Sequence, residues 1–179
     1  SEQEIRGVLA CVDWKQVVVE ERSGQHYVFL SKQGMALDLG GIAKGFAADE
    51  ITGILKQHKV RRAIVDLGGN ICVFGKKKNG DDWNIGVKNP FNPYGAPALV
   101  LSHAGGGTVV TSGVYERFFE EGGVRYHHIF DVETGMPAER NWSSVTIVAP
   151  ETHSVDADAL STIGFLLGFD QFTELIGVP

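Results

Sequence analysis

The sequence has few cysteines, no long apolar run and no excess of basic residues, and each absence excludes a class of protein. Its two cysteines, Cys11 and Cys72, lie far apart, so they cannot form a zinc site by themselves and we expect buried free thiols. No apolar run approaches the roughly 20 residues that span a bilayer. The net charge of −6 argues against nucleic acid, whose phosphates are bound by basic patches.

Several familiar catalytic patterns are also absent, namely GxSxG, Walker A, the Rossmann fingerprint and HExxH. The chain is instead rich in glycine, with 23 residues of this type. They cluster at five places: Gly40-Gly41, Gly68-Gly69, 105–107, Gly113 and Gly122-Gly123. The densest basic run, Lys76-Lys77-Lys78, precedes Asn79-Gly80 and is therefore predicted to be a solvated turn rather than a binding patch.

Short runs of β-branched and aromatic residues lie around these glycines and predict strands. They cover residues 8–12, 17–21, 27–30, 63–67, 83–87, 98–101, 108–111, 125–130 and 144–148. Apolar residues at helical spacing predict helices over 42–57 and 155–167, with Ser154 as N-cap of the second and a short third helix over 171–176. Strands outnumber helices without alternating with them, which favours an α+β fold with a mixed or antiparallel sheet. The length predicts one domain over residues 1–179.

The first candidate site is the string Asp38-Leu39-Gly40-Gly41-Ile42-Ala43-Lys44-Gly45, which runs from a loop into the first long predicted helix. Paired glycines at a helix start let the backbone approach a ligand closely. The exposed amides and the helix dipole there favour an anion such as phosphate. A purely structural turn before a helix is the alternative.

The second candidate site combines Asp158 and Thr162 in the string 157–162. Residues four apart lie on one helix face, so this carboxylate and this hydroxyl can converge on one small ion. Oxygen ligands of this kind suit Mg²⁺, which bridges substrate phosphates. The structural alternative is an Asp that stabilises a helix N-terminus, with Thr162 bonded back to a backbone carbonyl.

The third candidate site contains two adjacent histidines, His127 and His128, ahead of a turn over 131–135. Adjacent strand residues point to opposite faces, so the pair is not expected to chelate one metal. A histidine near its ordinary pKa of about 6.5 is suited to take a proton from a hydroxyl nucleophile. A hydrogen-bonded structural histidine is the alternative. Two further glycine-containing strings, 65–70 and 111–116, join or end predicted strands, where glycine allows a bulge or a close ligand approach.

Taken in order, these strings resemble the ApbE family of FAD:protein FMN transferases. The string from Asp38 to Gly45 is similar to that family's most recognisable motif. The further motifs follow in the family's order: Gly68-Gly69-Asn70, 83–90, Ser112-Gly113 with Tyr115, 128–137, and Ala157-Asp158-Ala159-Leu160 with Thr162. The sequence departs from the family pattern at Asn70, where Asp is frequent, and at Val114, where an acidic residue is common.

The resemblance implies a fold, an activity and a set of site residues. The fold is an ApbE-like, T-fold-related catalytic half, and the activity is Mg²⁺-dependent transfer of FMN from FAD to a Ser or Thr hydroxyl, with release of AMP. His128 is the implied base or base-positioning residue, and the implied metal ligands are the Ala43 carbonyl, Asp158 and Thr162. The implied flavin-binding residues are Gly40, Gly41, Lys44, Gly68, Gly69, Asn70, Thr111, Ser112 and Gly113.

The resemblance also implies that the chain lacks the family's N-terminal region. The expected partners are FAD and an acceptor protein with a flavinylation Ser/Thr motif, without nucleic acid. The expected location is extracytoplasmic, although this chain has no signal peptide, and membrane contact would come only through the acceptor or a lost lipid anchor. Two alternative functions stay open: a Mg²⁺-dependent FAD pyrophosphatase that gives FMN and AMP, and a non-catalytic flavin-binding module.

Overall fold

A computed structural model describes residues 1–92 and 94–177 of the chain. The chain divides into two compact units. The first contains residues 1–38 and 130–138, and the second contains residues 39–129 and the described part of 139–179. The prediction of one domain over residues 1–179 stays a prediction. None of the helices in the described residues is both long and apolar enough to cross a bilayer.

The first unit begins with a helix, α1 (Glu2–Leu9), where a strand over 8–12 was expected. That expectation is wrong because Ser1 and Glu4 form a capping box, in which the Glu4 amide donates to the Ser1 hydroxyl and the Ser1 backbone nitrogen donates to the Glu4 carboxylate, and this fixes the first helical turn. A 3₁₀ turn (Trp14–Gln16) then leads to an antiparallel hairpin of β1 (Val17–Arg22) and β2 (Gln25–Leu30). These two strands confirm the predictions over 17–21 and 27–30.

The predicted turn over 131–135 also belongs to the first unit. The Asp131 carboxylate accepts bonds from the amides of Glu133 and Thr134, and Gly135 adopts a φ of +70°. A side chain at Gly135 would overlap Ile5 and would touch Leu9, so this turn lies directly against the apolar face of α1. Cys11 follows α1 and is only partly buried, which corrects the expectation that both thiols are buried.

The second unit contains three helices and eight strands among the residues described. The helices are α2 (Ala43–Gln57), α3 (Ser154–Leu167) and α4 (Phe169–Leu175). The strands are β3 (Ala63–Asp66), β4 (Asn70–Phe74), β5 (Trp83–Val87), β6 (Leu99–His103), β7 (Gly106–Gly113), β8 (Phe118–Glu121), β9 (Val124–His127) and β10 (Ser144–Ala149). All pairs are antiparallel, and the main sheet has the order β10-β7-β4-β3, with β5-β6 and β8-β9 as separate hairpins. The α+β prediction with antiparallel sheets is confirmed.

The two faces of the main sheet bury different partners, because side chains alternate along each strand. On one face, Cys72 of β4 packs with Ala48 of α2 and Val65 of β3. On the other face, Val73 and Val109 pack with Ile85 of the β5-β6 hairpin. The face that carries Cys72 is therefore the helix-facing side of the sheet, and the candidate site lies on that side.

Several boundaries differ from the sequence predictions. Strands β4 and β8 were not predicted, and the strand predicted over 125–130 ends at His127. The N-cap of α3 is His153 rather than Ser154, and its side chain makes no cap bond. The predicted solvated turn is confirmed, since the Gly80 amide bonds the Lys77 carbonyl at 3.0 Å.

Candidate active site

Helices α2 and α3 lie in close contact at Gly45. A Cβ there would overlap the backbone of Ser154 and Val155, so only glycine permits this approach. Asp158 of α3 bonds the amide of Gly45, whereas Ser154 bonds the side chain of Asp49. Successive residues of α2 thus meet earlier residues of α3, so the two helices run antiparallel.

The start of α2 is capped by Asp158, a residue 113 positions away in the sequence. The N-cap residue, Ile42, has no side chain that could accept a bond, and Oδ2 of Asp158 accepts the Gly45 amide at 2.8 Å. The Ala43 amide bonds the Leu39 carbonyl at 2.8 Å. The helix start that the sequence marks as an anion site therefore already holds an anion, and that anion is a carboxylate of the same chain.

Asp158 is only 2% exposed, and burial raises the pKa of its carboxyl above the ordinary value. The Gly45 amide, the positive charge of Lys44 and the amide group of Asn70 each lower this pKa, but together they offset the burial only in part. The ionised carboxylate consequently lacks full compensation inside the protein. A bound cation would supply it.

Thr162 lies one helical turn beyond Asp158 and contacts Ser112 of β7, with 3.2 Å between the two hydroxyl oxygens. Ser112 also lies 2.7 Å from the hydroxyl of Ser161, which donates to the carbonyl of Asp158 at 2.9 Å. A Cβ at Gly41 would lie 3.9 Å from the Thr162 oxygen, so the Gly40-Gly41 turn lies beside this hydroxyl. The carbonyl bond expected of Thr162 in the structural alternative is made by Ser161 instead.

The Gly68-Gly69 turn joins β3 to β4 near the same place. Both glycines have positive φ, +68° and +82°, which suits a two-residue hairpin loop. The Lys44 ammonium donates to the Gly68 carbonyl at 3.2 Å, and the Thr111 amide donates to the Gly69 carbonyl at 2.8 Å. These bonds tie α2 and β7 to the turn.

Asn70 follows the turn and is fully buried, yet neither of its side-chain polar atoms has a partner within hydrogen-bond geometry among the described residues. Its amide lies close enough to the Asp158 carboxylate to lower the pKa of that group. Buried polar groups are rarely left without partners. A ligand at this point would complete the hydrogen bonding of Asn70.

The two histidines face opposite sides, as predicted. His127 is buried and its ring meets Phe165 of α3 edge to face, with 5.8 Å between the centroids. His128 is exposed, and its Nδ1 lies 3.0 Å from the carbonyl oxygen of Arg117. A carbonyl only accepts, so Nδ1 carries the proton and Nε2 of the neutral ring is an acceptor.

The chemistry of the donors at this site fits Mg²⁺. The described part of the chain has no cluster of three or more His, Cys, Asp or Glu side chains that could hold a metal. The donors at this site are instead the Asp158 carboxylate and the Thr162 hydroxyl, both of them oxygen atoms of the type that Mg²⁺ prefers. The buried charge of Asp158 and the unpartnered amide of Asn70 fit such an ion with its ligand.

The structure gathers most of the predicted residues but not all of them. Gly41, Lys44, Asn70, Ser112, Asp158 and Thr162 are linked by the contacts above. The ring of His128 bonds Arg117 rather than any of these, and Gly113 lies against Tyr115. Three groups that hold the site residues or their helices in place were not predicted from the sequence: Asp49, Ser161 and the Arg117 carbonyl. The spacing of Ser161, three residues after Asp158, could have indicated it; the sequence carries no signal for the other two.

Proteins of known function resemble this chain over most of its length. An "FAD:protein FMN transferase" of Treponema pallidum is 49% identical over 160 residues, which are 84% of this chain and 43% of that protein. One of Klebsiella pneumoniae is 41% identical over 169 residues, 94% of this chain and 50% of that protein. The chain thus spans about half the length of the curated relatives it matches.

Solved structures that resemble this chain are also ApbE proteins. The crystal structure of the ApbE protein of Thermotoga maritima is 38% identical with a TM-score of 0.83, over 98% of this chain and 54% of that one. The flavinyl transferase ApbE of Pseudomonas stutzeri in its apo form is 27% identical with a TM-score of 0.77, over 99% of this chain and 53% of that one. A sequence profile described as "ApbE family" matches residues 1–178. The chain therefore belongs to the ApbE family.

Proposed function

We propose that this chain supplies the metal-binding and phosphate-facing part of an enzyme that transfers FMN from FAD to a Ser or Thr hydroxyl of an acceptor protein. The observation that carries the proposal is the buried Asp158 carboxylate, which lies at the start of α2 one helical turn from the Thr162 hydroxyl. The names of the relatives support flavin transfer as the reaction.

In this proposal Asp158, Thr162 and the Ala43 carbonyl hold Mg²⁺. When bound, the metal stabilises the negative charge that develops as a phosphoanhydride breaks. The Gly40-Gly41 turn has no side chain to obstruct the FAD pyrophosphate, and Asn70 offers it an amide donor. Gly68, Gly69, Thr111 and Gly113 border the same end of the main sheet.

His128 is proposed to accept the proton of the acceptor hydroxyl. The Arg117 carbonyl holds the proton on Nδ1, so Nε2 is free to act as the base. The hydroxyl oxygen then bonds to the FMN phosphorus while the phosphorus bond to the bridging oxygen breaks. AMP leaves with that oxygen, and FMN stays on the acceptor as a phosphoester.

The test is AMP release from FAD, measured by chromatography with and without Mg²⁺, for the wild type and for Asp158→Asn. Asparagine retains a cap for α2 but binds Mg²⁺ poorly, so the expected result is Mg²⁺-dependent release that the substitution lowers by about 100-fold. The Treponema pallidum relative, of which the match covers 43%, serves as the longer protein for comparison in the same assay. Release by that relative but not by this chain, with FAD and Mg²⁺ saturating, would reject independent catalysis by this chain.

An acceptor peptide that carries a flavinylation Ser or Thr separates the three functions. Covalent FMN on the peptide supports transfer, free FMN alone supports a pyrophosphatase, and FAD retained without AMP supports a binding module. An acceptor protein and an extracytoplasmic location are part of the same proposal. Mass spectrometry of the peptide provides the measurement for the first, and fractionation of cells that express the protein provides it for the second.

A further inference from the structure

Four groups at the α3–β7 contact form one continuous hydrogen-bond chain. It runs from the Thr162 hydroxyl through Ser112 and Ser161 to the backbone carbonyl of Asp158. Ser161 is fully buried and Ser112 is partly buried. Because neither serine has a charge, the direction of each bond in this hydrogen-bond chain is set only by the orientation of the hydroxyl protons.

The direction of every bond in this chain follows from its last member. A carbonyl oxygen only accepts, so the single hydroxyl proton of Ser161 is donated to the backbone carbonyl of Asp158. The short contact of 2.7 Å between Ser112 and Ser161 must then be donated by Ser112. Ser112 has no proton left, so the 3.2 Å contact with Thr162 must be donated by Thr162.

We propose that Ser112 and Ser161 are positioning residues that turn the proton of Thr162 away from the metal, which leaves the Thr162 oxygen to bind a divalent cation through a lone pair. The inference rests on the proposed function, because it needs the cation held by Asp158 and Thr162. The Gly41 backbone lies beside the same oxygen, since a Cβ there would be 3.9 Å from it. Outer groups of this kind fix the orientation of metal ligands in general.

The same α3–β7 contact contains a second hydroxyl pair that serves as an internal control. Ser154 is fully buried like Ser161 and donates to Thr108 at 2.7 Å, and Thr108 donates to the Ile71 carbonyl at 3.3 Å. Both hydroxyl protons of this pair are donated to other protein groups, and neither residue is a predicted metal ligand. Ser154→Ala therefore removes a buried serine hydroxyl from the same helix without altering Thr162.

The experiment is calorimetric titration with Mg²⁺, alone and with FAD present, for the wild type, Ser161→Ala, Ser112→Ala, Ser112→Thr and Ser154→Ala. Loss of an orienting group is expected to weaken Mg²⁺ binding about tenfold in Ser161→Ala and Ser112→Ala. Ser112→Thr keeps the hydroxyl on a strand that favours β-branched residues, so it is expected to restore the affinity. Ser154→Ala is expected to bind Mg²⁺ as the wild type does.

The Mg²⁺ dependence of AMP release adds a kinetic readout for Ser161→Ala, in which the Mg²⁺ concentration for half-maximal rate is expected to rise about tenfold while kcat at saturating Mg²⁺ changes little. Mg²⁺ binding that is equal in wild type and Ser161→Ala overturns the positioning role but leaves the proposed metal site intact. An equal loss in Ser154→Ala also overturns it, since the effect would then be general packing. A wild type that binds no Mg²⁺ under either condition overturns both proposals.

Discussion

The starts of α2 and α3 are each capped by an Asp carboxylate of the other helix. The two carboxylates differ in burial and in how far the protein compensates their negative charge. Asp49 of α2 caps α3, and its two oxygens accept the amides of Ser154 and Val155, at 3.0 Å each. Asp158 of α3 caps α2 through Oδ2 and the Gly45 amide, but it is buried and its pKa is raised. Each helix thus provides the carboxylate that caps the N-terminus of the other.

The difference shows why one carboxylate is structural and the other is a candidate ligand. Asp49 is partly exposed and engages both oxygens with backbone amides, so its position is fully explained by capping. Asp158 carries a charge that the surrounding amides and Lys44 do not fully compensate, and it lies near Asn70, whose side chain has no partner within hydrogen-bond geometry in the described part of the chain. Capping alone leaves part of this buried charge uncompensated, whereas a bound cation would compensate it.

Substitution of Gly45 is expected to have the largest effect, because it breaks both halves of the comparison at once. A Cβ in Gly45→Ala would overlap the backbone of Ser154, which cannot rotate away, and overpacking of this kind costs about 3 kcal/mol. The gain in helix propensity is only about 1 kcal/mol. Gly53→Ala in the same helix meets nothing within 4 Å and should stabilise the protein instead. Urea unfolding of both variants measures this, and equal stabilities would refute the close helix contact.

Asp158→Asn is expected to separate capping from metal binding. Mg²⁺-dependent AMP release should fall by about 100-fold, corresponding to roughly 3 kcal/mol of lost charge stabilisation. The metal-free variant should unfold at the same or a higher temperature at pH 7.5, since a buried charge is removed while the cap is kept. Calorimetric melting and AMP release test this together. A marked loss of stability with normal Mg²⁺ dependence would assign Asp158 to capping alone.

Asp49→Ala is expected to act on stability with a smaller effect on the chemistry. Loss of the partners of two helix-start amides costs about 1–2 kcal/mol in the free energy of unfolding. Hydrogen exchange should show faster exchange of the Ser154 and Val155 amides, and Asp49→Asn should recover part of the loss. If Asp49→Ala abolished Mg²⁺ binding at unchanged stability, the contrast between the two carboxylates would be reversed.

The pH dependence of stability is the smallest expected effect, and it isolates Asp158. Its raised pKa means that the folded protein retains a proton at pH values where the unfolded chain has lost it. The contribution of this group is therefore present at low pH and is lost as pH rises through the raised folded pKa. The stability of the metal-free wild type relative to Asp158→Asn should decline over that window and then level off. A difference that rises with pH would contradict the assigned burial.

Much of the second unit follows from local patterns in the sequence. The β-branched runs at 83–87 and 144–148 predict β5 and the body of β10, and the apolar spacing over 42–57 predicts α2 to within one residue. Strand β4 was missed because Asn70 and Cys72 face the helices, so that its sequence lacks a simple alternation of apolar and polar residues. The capping box at Ser1 was overlooked in favour of the β-branched residues that follow it.

The sequence by itself determined the candidate ligands and their local geometry. Asp158 and Thr162 lie one turn apart because a helix repeats every 3.6 residues, and Gly68-Gly69 forms a tight turn because glycine tolerates positive φ. Only the tertiary structure decided which anion occupies the start of α2, because that anion comes from a residue 113 positions away. It also decided the proton order from Thr162 to Asp158, since this order depends on a serine of another strand and on a carbonyl that can only accept.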